Sequence, residues 1–139
     1  MQTTNYACDK CGKLLREHEV QMSIIIYISG PYSNGDSIYN PEILLDNVHK
    51  AEDAAIQLID AGLLVFIPLQ SHYIHARHPR VYGAWLKYDL CWLDKCDYLL
   101  RLPGDSKGAD REVAYAKEKN IMVFYSIEAL LNHLKRLSY

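Results

Sequence analysis

Two carboxylates stand where their neighbours give them chemical use. The first is in Ser106-x-Gly108-x-x-x-Glu112. Ser106 is placed to cap a helix, and Gly108 clears room in its first turn. A helix N-terminus offers unpaired N–H groups and the positive end of a dipole, and both favour an anion. Glu112 lies about one turn in, so the dipole is expected to keep it ionised. An ionised carboxylate facing a crevice is a nucleophile. The second is in Trp85-x-x-x-Asp89-x-x-Trp92. Spacings of four and three put these residues on one helix face. An Asp between two indoles loses solvent, its pKa rises, and it suits a general acid. Glycoside cleavage uses such a pair: one carboxylate attacks the anomeric carbon and the other protonates the leaving group. The structural alternatives are a Glu that only complements the dipole and an Asp hydrogen-bonded at the boundary.

A third cluster is the loop Tyr27-Ile-Ser29-Gly30-Pro31-Tyr32-Ser33-Asn34-Gly35-Asp36. Its glycines permit tight turns and close approach of backbone N–H groups to an anion. Ser29 and Ser33 add hydroxyls. The loop is neither GxGxxG nor a P-loop, because no Gly-Lys-Ser/Thr follows. His72, His75 and His78 recur by threes beside Arg77 and Arg80. No Glu stands in a zincin position, so the segment is read as polar and substrate-facing rather than as a metal site. Cys8-x-x-Cys11-Gly12 is half of a zinc knuckle, which needs four ligands to close. Structural zinc at Cys8 and Cys11 is the single metal candidate. Cys91 and Cys96 lack the spacing of a second half and read as packing residues.

These side chains need a scaffold, and the chain is long enough for one. Its 139 residues are half hydrophobic and 23% charged, which is ordinary globular composition. A net charge of −2 excludes a protein that coats polymeric nucleic acid. No apolar run reaches the roughly 18 residues of a membrane span, and residues 1–21 hold no secretory h-region. A cytoplasmic protein with reduced thiols is expected. Eleven Tyr stand against two Phe, a surplus of the aromatic that carries a polar handle.

Residues 1–21 are polar and read as an appendage; residues 22–139 read as the domain. In the domain, strand-like runs alternate with helical patterns. Ile24 to Ile28 is continuously apolar, as in a strand covered on both faces. Asn40 and Pro41 open a helix whose Leu44, Val48, Ala51, Ala55 and Leu58 share a face, and Gly62 stops it. Leu63–Ile67, Tyr98–Leu102 and Ile121–Phe124 are further strands. Residues 70–83 read as irregular. Helices are expected over about 84–95 and 108–119, and after Ser126, the last with Ile127, Leu130, Leu134 and Leu137 inward. This alternation predicts a three-layer, doubly wound α/β fold of the Rossmann or flavodoxin-like kind, with four to five parallel strands. Ligands on such sheets bind beyond the carboxyl ends of the strands, which points to the loops 29–40, 68–83 and 103–108.

Three motifs in order, Tyr27-x-Ser-Gly30, Asp89-Leu-x-Trp-Leu-x-x-Cys-Asp97 and Ser106-x-Gly108-x-x-x-Glu112-x-x-x-Ala116, resemble the nucleoside 2-deoxyribosyltransferase superfamily over about residues 22–125. The chain is similar to that group's small phage and bacterial proteins and to its 2′-deoxynucleoside 5′-monophosphate N-glycosidases. The resemblance implies that Glu112 attacks C1′ of the sugar, that Asp89 protonates the departing base, and that Tyr27 orients the nucleophile. It further matches Gly30 to the loop glycine under the ligand, Ser106 and Gly108 to the phosphate-binding turn, and Asp97 to the acidic residue at the start of the following strand; Ser29, Pro31, Tyr32, Ser33 and His72 complete the expected substrate-binding set. The monophosphate hydrolases carry an arginine in the first loop where this chain has Ser33-Asn34. Here Ser29, Ser106 and Arg77, Arg80 or Arg111 would have to meet a phosphate.

The expected function is cleavage or transfer of the base of a (deoxy)nucleoside or its 5′-monophosphate. It would proceed through a glycosyl-enzyme on Glu112, with no metal or redox cofactor required. The expected partners are the small-molecule substrate and further copies of the chain in a homo-oligomer, with neither membrane nor polymeric nucleic acid. The alternatives are a non-catalytic nucleotide sensor and a cytokinin-activating type of phosphoribohydrolase. The motif of the latter is loosely echoed from Pro103-Gly104 to Glu112.

Overall fold

The computed structural model describes residues 23–33 and 40–137. The appendage with Cys8 and Cys11, and the outer part of the first loop, lie outside the described residues. The elements are β1 (Ile25–Ser29), α1 (Pro41–Asp60), β2 (Leu64–Phe66), α2 (Ser71–Arg77), α3 (Tyr82–Leu93), β3 (Tyr98–Arg101), α4 (Lys107–Glu118), β4 (Met122–Phe124) and α5 (Ile127–Leu137). A single 3-10 turn, Pro68–Gln70, leads into α2.

The strands form one parallel sheet in the order β2-β1-β3-β4. Strand parity divides the core in two. Ile26, Ile28 and Leu100 face one way, against Ala51, Ala54, Ala55 and Leu58 of α1 and Leu130 and Leu134 of α5. Tyr27 and Leu99 face the other way, against Leu93 of α3 and Ala116 of α4. The fold is therefore the expected three-layer doubly wound α/β architecture. Burying each Ile or Leu contributes about 1.5–3 kcal/mol, so both layers hold the sheet. From β1 the chain moves outward to β2, then crosses back to the far side of β1 to make β3. The strand order reverses between β1 and β3, and ligand crevices open at such a point.

The local signals act as their chemistry dictates. Asn40 accepts from the N–H groups of Glu42 and Ile43 and caps α1. Gly62 takes φ 91° just past the end of α1, a conformation that suits glycine. Ser106 Oγ accepts from Ala109 N at 3.0 Å and caps α4, while Ser126 Oγ accepts from Ala129 N at 3.1 Å and caps α5.

Three expectations need correction. Residues 70–83 are not irregular: α2 occupies 71–77 and α3 starts at Tyr82. Helix α2 buries none of its residues, so it leaves no apolar period to read. Helix α3 also ends at Leu93, two residues short of the expected stop. Leu137, expected inward, is exposed, because the buried stripe of α5 is Leu130 and Leu134.

Candidate active site

Glu112 lies on the face of α4 that packs on the sheet, between Ala109 and Ala116, and is buried with them. A buried carboxylate needs donors. Strand β1 supplies two: the Tyr27 hydroxyl donates to Glu112 Oε2, and Ser29 Oγ donates to Oε1 at 2.9 Å. Tyr27 and Ser29 are two residues apart, so strand pleating aims both at the same face. Burial pushes the Glu112 carboxyl above its usual range; the two hydroxyls and the Arg101 guanidinium pull it back. Burial thus opposes the ionised form that the helix N-terminus is expected to favour. Burial and the Glu112 charge push the Tyr27 phenol far upward, so it stays a neutral donor.

Asp89 has the opposite surroundings. Its Oδ1 is buried with no hydrogen-bond partner. Burial first, and the Glu112 charge second, push its carboxyl up to about 8. The two hydroxyl donors favour the charged form of Glu112, whereas the surroundings of Asp89 favour its protonated form. The two indoles expected beside Asp89 part company in the structure. Trp85 shares the cavity wall with Asp89. Trp92 instead stacks on Phe66, with ring centroids 4.8 Å apart.

Both carboxylates line a cavity of about 540 Å³ at the carboxyl end of the sheet. Gly30, Tyr32 and Ser33 come to it from the first loop, His72 from α2, and Ser106 and Gly108 from the start of α4. Tyr32 and His72 meet through the Tyr32 hydroxyl and His72 Nδ1, and Asn47 Nδ2 donates to Tyr32 O at 2.7 Å. At Gly108 a Cβ would stand 2.8 Å from the Tyr82 hydroxyl, the far end of an exposed side chain that can swing aside. Gly104 takes φ +118°, and a Cβ on it would strike Pro31 at 2.7 Å. Pro31 thus wedges the two loops of the crevice together and does not face the cavity.

Two further proposed ligand contacts are placed elsewhere. Ser29 is fully buried and spends its hydroxyl on Glu112. Asp97 is at the amino end of the sheet, where its Oδ2 accepts from Ile25 N at 2.8 Å and its own N–H donates to Ile25 O. A carboxylate one residue before β3 cannot reach a site beyond the end of that strand. His78 and Arg77 do not line the cavity, and no group of three or more His, Cys, Asp or Glu among the described residues could hold a metal ion.

Two residues near the site escaped the sequence reading. Lys107 joins Arg80 and Arg111 at the cavity. None of the three has a carboxylate within ion-pair distance among the described residues. Arg101 is buried at the end of β3, where it donates to Leu102 O, to Gly104 O at 2.8 Å and to Asp110 at 3.1 Å. It fixes the turn that leads to Ser106. A charge at the end of the apolar run Tyr98–Leu102 was the signal available for it.

The tyrosine surplus divides the same way. Tyr32 and Tyr82 line the cavity and Tyr27 lies beneath it, whereas Tyr73 and Tyr88 are exposed outside it. Tyr98 packs on Phe124 and His133, and Tyr115 donates to Asp94. Tyr125 is exposed.

Fold and site together define a doubly wound α/β domain with a buried Glu112 and a partly buried Asp89 lining one cavity at the reversal of its strand order. The chain belongs to the family described as domain of unknown function DUF1937, whose profile matches residues 24–128. Among solved structures it is similar to the 2-deoxyribosyltransferase of the psychrotolerant bacterium Bacillus psychrosaccharolyticus. That likeness has 25% identity over 71% of this chain and 69% of that one, with a TM-score of 0.47. No curated protein matches the sequence. No helix among the described residues is long and apolar enough to cross a membrane.

Proposed function

We propose that the protein breaks the N-glycosidic bond of a nucleoside 5′-monophosphate and passes the sugar to water or to a second base. The observation that carries this reading is the unequal carboxylate pair. Glu112 is oriented by the Tyr27 and Ser29 hydroxyls, and Asp89 keeps a buried oxygen with no partner, in one cavity.

In the first step Glu112 attacks C1′, the bond from C1′ to the base nitrogen breaks, and the Asp89 proton goes to the departing base. In the second step Asp89, now ionised, takes a proton from water or from an incoming base. That acceptor displaces Glu112 from C1′. Two displacements at one carbon retain its configuration. The residues supply the nucleophile and the acid themselves, and none of these steps uses a metal or redox group.

The phosphate assignment is supported by Arg80, Lys107 and Arg111, which have no carboxylate within ion-pair distance among the described residues, and by the Ser106-capped N-terminus of α4. A neutral nucleoside would leave these charges unused.

The test is a chromatographic assay of base release from nucleosides and their 5′-monophosphates. Wild-type protein releases base, preferentially from monophosphates. Glu112→Ala loses on the order of 10³-fold or more of the rate, as expected for removal of a nucleophile. Unchanged release in that variant would remove Glu112 from the reaction.

A further inference from the structure

We propose that His75 reads the base: its neutral imidazole presents Nε2–H as a fixed donor to an acceptor atom, oxygen or ring nitrogen, on the edge of the base. This assignment rests on the nucleotide reading above.

His75 lines the cavity from α2 and is partly buried. Its Nδ1 lies 2.9 Å from Trp85 Nε1 and 3.1 Å from Arg80 N. An indole N–H and a backbone N–H can only donate. Nδ1 must therefore present its lone pair, and the ring proton must sit on Nε2. The two donors come from different segments, α3 and the connector before it, so the ring is held from two directions. Trp85 meets it edge-on, with centroids 6.2 Å apart. One polar atom of the ring remains unspent, and it is a donor.

The neighbouring histidines do not share this property. His72 Nδ1 faces the Tyr32 hydroxyl, which can donate or accept, so nothing there fixes a tautomer. His78 is exposed and outside the cavity. Trp85 and Leu86 add apolar wall beside His75. A flat heterocycle with an acceptor on its rim suits such a wall, since the rings take its face and the imidazole takes its edge.

The experiment uses a panel of 2′-deoxynucleoside 5′-monophosphates, natural and with one base-edge acceptor removed at a time. Examples are 7-deazaguanine for N7, 3-deazaadenine for N3 and 1-deazaadenine for N1. On the best natural substrate His75→Ala should raise KM about tenfold, the worth of one well-placed hydrogen bond, with kcat within about twofold. His75→Gln, whose amide still donates, should recover most of that loss. One analogue should show the same loss with wild-type protein and no further loss with His75→Ala, because the two deletions remove one interaction. Trp85→Phe removes one of the two donors that set the tautomer, and should give a smaller rise in KM alone.

An unchanged KM, or an equal loss on every analogue, overturns the assignment. Wild-type protein that releases no base defeats the functional reading instead. Calorimetric binding of the same panel to wild type and His75→Ala then decides on His75. Binding that does not depend on an acceptor, or no binding, defeats it too.

Discussion

The two ends of the β1–β3 strand pair use carboxylates in opposite ways. At the amino end, Asp97 is exposed and exchanges hydrogen bonds with the backbone of Ile25. At the carboxyl end, Glu112 is buried under two hydroxyls and Asp89 keeps a bare oxygen. At one end the carboxylate is satisfied by backbone; at the other, one buried carboxyl oxygen has no partner among the described residues. The difference teaches that an acidic residue within a motif acquires its role from the end of the sheet at which the chain leaves it. Asp89 and Asp97 are eight positions apart, yet α3 places them at opposite ends of the sheet.

The comparison can be broken most severely at Asp89. Asp89→Asn should cut base release by about 10²–10⁴-fold, the usual range for losing a general acid. The wild-type rate should fall as pH rises past about 8, where Asp89 loses its proton, and the variant should lack that limb. The same substitution should raise stability. The folded carboxyl titrates near 8 against a model value of 3.8, so the unfolded chain releases this proton first. The stabilisation tied to the proton is fully present below about 3.8 and is lost as pH rises to about 8. Melting temperatures of variant and wild type should therefore separate increasingly over that window, with the variant the more stable. Parallel melting curves would remove the buried-acid reading.

Tyr27→Phe sharpens the other half of the pair. The ring keeps its packing on Phe66, but Glu112 loses one donor. Because that donor pulls the Glu112 carboxyl down, its loss moves the acidic limb of kcat/KM to higher pH. A rate loss of about tenfold is expected, the worth of one charge-assisted hydrogen bond. An acidic limb that stays in place would separate Tyr27 from the charge on Glu112.

Asp97→Ala should do least to catalysis. It removes the acceptor for Ile25 N at an exposed position, so about 1 kcal/mol of stability should be lost in a denaturant titration. The activity per folded molecule should stay unchanged. A loss of turnover there would erase the contrast between the two ends.

Much of this was legible in the sequence. The strands around Ile26, Val65 and Leu99 showed as apolar runs, and Asn40, Ser106 and Ser126 marked helix starts by side chains that cap. The pairing of Glu112 with Asp89 followed from their being on neighbouring elements of a doubly wound sheet. Helix α2 was hidden because it buries nothing, and periodicity reports burial rather than helicity. Ser29 looked like a ligand contact because a sequence shows that a hydroxyl is near a site, not which way the pleat turns it. Arg101 was hidden by an apolar context that gives no hint of the carbonyls of Leu102 and Gly104, which receive its guanidinium.

Tyr27 and Ser29 hold the two oxygens of Glu112 from one strand, about 6.6 Å apart along it. The span between the two grips is set by the pitch of extended backbone, not by any loop. A slip of β1 by a single residue would turn both hydroxyls into the layer beneath α1 and α5 and leave the carboxylate ungripped. A chain assembled out of register would thus be silent as well as unstable. Under the proposed function, turnover would double as an audit of sheet alignment, and an activity measurement on a refolded sample would count the correctly threaded fraction.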